Sequence, residues 1–206
     1  MVKLTQDALT LQSTSTRYKL SLLAISPLAF AHVIYRTLND GGMRYFKQRL
    51  GFGYKHFKNK PIHFHCASVG EFITAKPLIL SIQSSHPDKK ILITSNTPTA
   101  ANLVDKLNHQ HIYHHYLPLD FTILVNKFLK RTKPLCCFIL ETEIWPTFYS
   151  QAKKNNIDIT IINARLSEKT LGASNFIRNE YARALKNVFQ ILTRTKDDHK
   201  NLLELG

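Results

Sequence analysis

From Pro61 onward, short apolar runs alternate with stretches whose apolar residues recur at helical spacing. The apolar runs are 62–67, 90–94, 112–117, 135–140, 157–162 and 188–193. The helical stretches are 72–84, 98–107, 121–131, 145–155, 174–186 and 197–205, with Pro98 near one start and Asp120 placed to cap another. Strands that read as nearly continuous apolar runs are buried on both faces. Six of them separated by helices demand a parallel sheet with helices on both sides, an α/β fold. The expected division is 1–60, a leading segment, and 61–206, the sheet domain.

The leading segment is of another kind. Residues 1–16 are polar and rich in Ser and Thr, and are expected to be disordered or frayed. Residues 20–35 form an apolar run preceded by Arg17 and Lys19 and followed by Arg36. Sixteen residues of helix cover about 24 Å at ~1.5 Å per residue, short of a hydrocarbon core of about 30 Å. Basic residues at both ends suit a helix lying in an anionic leaflet. A buried core helix and a spanning anchor are the alternatives. Asn39-Asp-Gly-Gly42 reads as a break, and 43–53 as a short basic helix with aromatic residues, ended by glycine. Residues 1–60 hold ten Lys and Arg against Asp7 and Asp40, more than half of the chain's net charge of +14. Such a surface attracts polyanions: nucleic acid, anionic membrane or a phosphorylated substrate.

In a parallel sheet, ligands meet the carboxyl ends of the strands. The residues following the first five apolar runs are Ser68, Gly70 and Glu71; Thr94 to Thr97 and Thr99; Pro118 and Asp120; Glu141 and Glu143; and Asn163, Arg165 and Ser167. Carboxylates, hydroxyls and an arginine suit a sugar or phosphate ligand. Asp120 and Thr99 read more simply as helix caps. Gly70 permits a tight turn and close approach of a ligand. Glu71, between Val69 and Phe72, is placed for a raised pKa and general-base work, or is a helix-start glutamate favoured by the helix dipole. Alternation sets Glu141 and Glu143 on one side of an extended segment. Such a pair can bind metal, share a proton, hold sugar hydroxyls or pair with Arg165.

Other chemistries lack their signatures. Cys66, Cys136 and Cys137 lie in apolar runs without a C-x-x-C pattern, which indicates reduced core thiols of a cytosolic compartment. The histidines, among them His63, His65, His114 and His115, have no carboxylate or cysteine at ligand spacing, so no metal site is expected. G-x-G-x-x-G, P-loop and G-x-S-x-G motifs are missing. No recognition motif or stacking platform supports the nucleic-acid reading of the charge, so no nucleic-acid partner is expected.

Five stretches together resemble one family. His65-Cys-Ala-Ser-Val-Gly-Glu71, Thr97-Pro-Thr99, Tyr116-Leu-Pro-Leu-Asp120, Glu141-Thr-Glu-Ile-Trp-Pro146 and Asn163-Ala-Arg-Leu-Ser167 stand in the order and spacing of the 3-deoxy-D-manno-octulosonic acid (Kdo) transferases of Gram-negative bacteria. Ser26-Pro27 and Arg49-Leu-Gly51 also fit, so the resemblance runs from about residue 18 to the end. It implies an inverting glycosyltransferase of the GT-B type in lipopolysaccharide synthesis, working at the cytoplasmic face of the inner membrane. This chain would be its Rossmann-like amino-terminal half. That half receives lipid A precursor (lipid IVA), and a carboxyl-terminal domain, absent here, would bind the donor CMP-Kdo. The resemblance makes Glu71 the base that deprotonates the acceptor's 6′-hydroxyl, with no cofactor and no catalytic metal. Ser68, Gly70, Thr97, Thr99, Glu141, Glu143 and Arg165 would shape the substrate site, the role of Arg165 being inferred from its place alone. Two positions depart from the family pattern: Ala100 stands where glycine is usual, and Thr147 where asparagine is. A membrane-associated acceptor-binding module, or a truncated remnant without activity of its own, is the alternative.

Overall fold

A computed structural model describes residues 3–5, 11–166, 170 and 172–205. Strands β2 (Ile62–His65), β3 (Ile91–Ser95), β4 (Ile112–Tyr116), β5 (Cys136–Leu140), β6 (Asp158–Ala164) and β7 (Gln190–Thr193) pair in parallel. Lys3–Thr5, inside the stretch expected to be frayed, forms β1 and adds antiparallel to β7. Residues 1, 2 and 6–10 of that stretch lie outside the described residues. The strand order is β1-β7-β6-β5-β2-β3-β4.

Helices α3 (Val69–Ser85), α4 (Pro98–Asp105), α5 (Thr122–Thr132), α6 (Pro146–Lys154), α7 (Asn175–Leu185) and α8 (Lys196–Leu205) fill the crossovers. The strand period of two divides the core between the faces. Phe64, Ile91 and Ile93 pack with Phe72 and Ile79 of α3 and Val104 of α4. Leu92, Cys137, Ile139, Ile159 and Ile161 pack with Phe128 of α5, Phe148 of α6 and Leu185 of α7. The parallel sheet covered on both faces is therefore as the alternation required.

The chain builds outward from β2. It moves to β3 and β4 on one side, then returns to place β5 on the other. The crevice between the carboxyl ends of β2 and β5 is the topological switch point, where this fold class binds ligands. The loops meeting there carry Glu71 on one side and Glu141 and Glu143 on the other.

The leading helix is longer than the apolar run suggests. Helix α1 (Thr16–Arg36) is 21 residues, about 31 Å at ~1.5 Å per residue, which removes the length argument against spanning. The expected break at 39–42 is a π-helical turn, Thr37–Gly41, leading into α2 (Gly42–Arg49). Asn39 donates to Tyr35 O (2.9 Å), and Arg36 pairs with Asp40 (2.9 Å), so local polar groups sustain the coil. Gly41 packs where a Cβ would lie 2.7 Å from Tyr45, and Gly42, at φ 60°, redirects the chain. The core-helix alternative for α1 fails, because Val33 is its one buried residue while Leu20, Leu23, Ile25 and Leu28 are exposed. The continuous helical stretch Thr16–Arg49 is long and apolar enough to cross a membrane by length and composition.

Both ends of α1 nevertheless rest on the sheet domain. Ser15 caps it by accepting from Tyr18 N (3.0 Å), while its own N–H donates to Glu180 of α7 (3.3 Å). Tyr18 donates to Asp120 Oδ2 at 2.9 Å. Toward the other end, Val33 is buried with Tyr45, Ala101 and Tyr116.

Candidate active site

Glu71 occupies the first turn of α3, whose N-cap is Ser68. Ser68 Oγ accepts from Glu71 N (3.3 Å) and donates to Glu71 Oε1 (2.9 Å), while Ala67 N donates to Glu71 Oε2 (2.8 Å). This is a variant of the capping box, so the helix-start reading of Glu71 is physically real. Its environment adds a second property. The residue is 7% exposed, and burial, aided by Glu143 and Glu141 and opposed by the two hydrogen bonds that favour the anion, pushes its carboxyl up to about 7. The same side chain is therefore a helix cap whose carboxyl pKa is raised toward neutrality. Gly70 lacks the tight-turn role expected of it, since it sits in the first helical turn without a left-handed backbone. An added Cβ would meet only Ser68 Oγ, at 4.0 Å, so the surface beside Glu71 is open.

Across the crevice the two glutamates diverge. The strand ends at Leu140, and Glu141 takes a left-handed conformation, φ 56°, so the pair is not set by simple alternation. Glu141 accepts from Arg165 Nε (2.9 Å) and Nη2 (2.8 Å), the ion pair foreseen as one alternative. Thr142 Oγ1 donates to Arg165 O and accepts from Arg165 N at 3.0 Å, locking the β5 and β6 ends together. Glu143 is free of that pair. Burial raises its pKa, polar contact with Trp145 opposes the shift, and Glu141 adds to it. Glu141, Glu143 and Arg165 line a cavity of about 530 Å³ with Tyr181 and Arg194. Glu71 lies outside its lining but within electrostatic reach of both carboxylates.

Thr97 and Thr99 do not join this group. Thr97 caps α4, accepting from Ala100 N (3.3 Å), and Thr99 is exposed in the first turn of that helix. Ser167 lies outside the described residues. Asp120 caps a helix, but not the expected one. It accepts from Thr147 N (2.9 Å) and Phe148 N (2.8 Å) at the start of α6, and from Tyr18 of α1. The next helix, α5, starts after Phe121 without a side-chain cap. Burial raises the Asp120 carboxyl to about 6, and the α6 amides and Tyr18 oppose that shift.

Sequence reasoning gave no role to two arginines. Arg49 of the short basic helix is 8% exposed, and donates through Nη1 to Asn96 Oδ1 (3.1 Å) and Leu117 O (2.6 Å). It therefore ties α2 to the carboxyl ends of β3 and β4, and desolvation lowers its pKa. No charge pattern distinguishes it from its exposed neighbour Lys47. Arg194, at the end of β7, was findable: the strand-end rule applies equally to the sixth apolar run.

Among the described residues, no group of three or more His, Cys, Asp or Glu is placed to hold a metal ion. The buried histidines bond inside the core instead. His63 spans Cys137 Sγ (2.7 Å) and Thr94 Oγ1 (2.8 Å), and His65 shares the same Thr94 hydroxyl (2.9 Å).

A family model described as 3-deoxy-D-manno-octulosonic-acid transferase (kdotransferase) matches residues 44–206. The chain belongs to this family. Among curated relatives, the 3-deoxy-D-manno-octulosonic acid transferase of Haemophilus influenzae is 36% identical over 159 residues, covering 74% of this chain and 36% of its own. The Rickettsia felis transferase is 32% identical over 145 residues, 70% of this chain and 31% of its own. That of Rickettsia bellii is 29% identical over 192 residues, 92% of this chain and 45% of its own. The chain thus spans less than half the length of the curated Kdo transferases it matches. The matched region begins inside α2 and holds every site residue discussed above except Tyr18.

Proposed function

We propose that the chain is the acceptor-binding, base-carrying half of an enzyme that transfers Kdo from CMP-Kdo to lipid A precursor. Glu71 takes the proton of the acceptor hydroxyl as its oxygen attacks the anomeric carbon of the donor, and CMP departs with the electron pair of the broken bond. The observation that carries this reading is Glu71 itself. It is held by Ser68 and Ala67 at the switch-point crevice, with a pKa of about 7 and open surface at Gly70. A base is most effective when its pKa lies near the working pH.

The remaining roles follow from position. Glu143, unpaired with a cation among the described residues, accepts from sugar hydroxyls, while Glu141 holds Arg165 at the rim for a phosphate or carboxylate. Ser68 orients the base, and Thr97 and Thr99 act on substrate only through the α4 loop. The reaction takes no cofactor or metal in this reading. The donor meets this half from a second domain, because attack requires both substrates to be held together.

Helix α1 supports a site on the cytoplasmic face of the inner membrane. Its apolar side chains are exposed while both ends are tied to the sheet domain, an arrangement suited to lying along a leaflet. The basic leading segment draws it to anionic lipid.

The test is Glu71→Gln in a chain that also carries the donor half. Transfer of Kdo should fall by about 10²–10⁴-fold, the usual worth of a general base, with vesicle binding unchanged. Near-normal turnover would remove Glu71 from the chemistry.

A further inference from the structure

Beneath α1 runs a second cavity, of about 500 Å³, between the helix and the body of the domain. Tyr18, Ser21, Leu22 and Ile25, one face of α1 at helical spacing, line one wall. Trp145 and Pro146 at the start of α6, with Phe176 and Ile177 of α7, form the other. Its lining is mainly apolar, whereas that of the first cavity is evenly mixed. The two are neighbours: Thr142, Glu143, Ile177 and Tyr181 line both. Elsewhere on α1 the apolar side chains of Leu20 and Leu23 are exposed.

We propose that this groove takes one acyl chain of the amphiphilic acceptor, with the polar head in the neighbouring cavity. The inference rests on the lipid acceptor proposed above. Three features select an acyl chain. Most of the lining, Leu22, Ile25, Trp145, Pro146, Phe176 and Ile177, is apolar and favours a hydrocarbon occupant, while the carboxylate of Glu180 in the same wall is taken up by Ser15 N and Arg183. The far end meets Glu143 and Thr142, hydrogen-bonding groups suited to sugar hydroxyls. Ser21 is the small residue in the α1 wall, and its hydroxyl is turned back to Arg17 O (2.9 Å), so it makes no polar demand on the groove. The groove also explains why α1 is pinned at Tyr18 yet leaves space along Leu22 and Ile25: the helix is a strap over a slot.

Trp145 is the chain's single tryptophan and lines the slot, which gives a direct probe. The 206-residue chain in non-brominated detergent micelles is titrated with lysophosphatidic acid brominated at mid-chain. Trp145 fluorescence should be quenched saturably at stoichiometric lipid. Ile177→Phe and, separately, Ser21→Phe fill the slot from opposite walls. Each should move the quenching midpoint about tenfold to higher lipid, with far-ultraviolet circular dichroism unchanged. Quenching that rises linearly and ignores both substitutions would place the lipid around α1 only and overturn the proposal. Absence of quenching would overturn it too. If Trp145 becomes shielded only as the chain dimerises, without lipid, the slot belongs to a second copy. The readout needs no sugar transfer, so a failed titration beside an intact Glu71 dependence refutes the groove alone. A sound titration beside a dispensable Glu71 refutes the catalytic reading alone.

Discussion

Replacing Glu71 by Gln should make this protein more stable above pH 7. The carboxyl stands near 7 in the folded chain, against an ordinary value of 4.5. At 1.36 kcal/mol per pKa unit, ionising it in place costs about 3 kcal/mol. The sign follows from the raised folded pKa. The side chain's contribution is fully present below pH 4.5, is lost as the pH rises toward 7, and stays lost above it. Glutamine is neutral throughout and nearly isosteric. Its carbonyl oxygen can accept from Ala67 N, and its amide can donate to Ser68 Oγ, the two groups that now bond the carboxylate. The variant should therefore gain about 2–3 kcal/mol at pH 8.5 and less than about 1 kcal/mol at pH 5. Urea unfolding in micelles, followed by the fluorescence of Trp145, measures this; with a slope of about 2–3 kcal/mol/M the midpoint shift is about 1 M. A variant no more stable than the parent at pH 8.5, or a gain of the same size at both pH values, would refute the raised pKa. Glu71 would then be an ordinary cap.

Other expectations follow from the same structure. Burial depresses His65 and His115 to about 3 and lowers His63 and His114 as well, so all four stay neutral while the unfolded chain protonates near 6.5. Each of His65 and His115 forfeits about 2 kcal/mol by pH 5, so stability should fall between pH 6.5 and 3 although Glu71 and Asp120 oppose the loss; a urea midpoint unchanged from pH 7 to 4 would contradict this. Tyr18→Phe removes a donor from buried Asp120 and should cost about 1.5–3 kcal/mol, read by thermal unfolding, with faster proteolysis at the start of α1. Lys133→Gly relieves a left-handed residue at the end of α5, φ 46°, and should stabilise by about 1 kcal/mol or slightly less, measurable as a rise in Tm. Arg165→Ala should leave folding intact but raise the KM of the transferase more than it lowers kcat, since Arg165 is placed at the rim of the cavity.

Much of the fold was legible because buried parallel strands must be apolar throughout. All six runs after Pro61 became strands within a few residues of their expected bounds. The site was legible only as a set of strand ends. Glu71 and Arg165 belong to the crevice and its rim, whereas Thr97 is spent on capping α4. Asp120 was read as the cap of its own helix, because sequence rules are local. The structure uses it instead for α6, 27 residues on, and for Tyr18, 102 residues back. Arg49 was legible only as part of the family-like Arg49-Leu-Gly51, and its bonds to Asn96 and Leu117 give it a place.

The sequence by itself determined an α/β sheet, an apolar helix ahead of it, and a family, since composition, periodicity and motif order are properties of a linear chain. It could not decide whether Glu71 was cap or base, because both need a glutamate at the third helical position. The tertiary structure bears on that by placing β5 beside β2. The reversal brings Glu141 and Glu143 within electrostatic reach of Glu71, and burial then lifts its pKa toward neutrality. It also decided that α1 is strapped to the domain at both ends, since Asp120 and Ala101, distant in sequence, meet that helix only once the sheet is assembled.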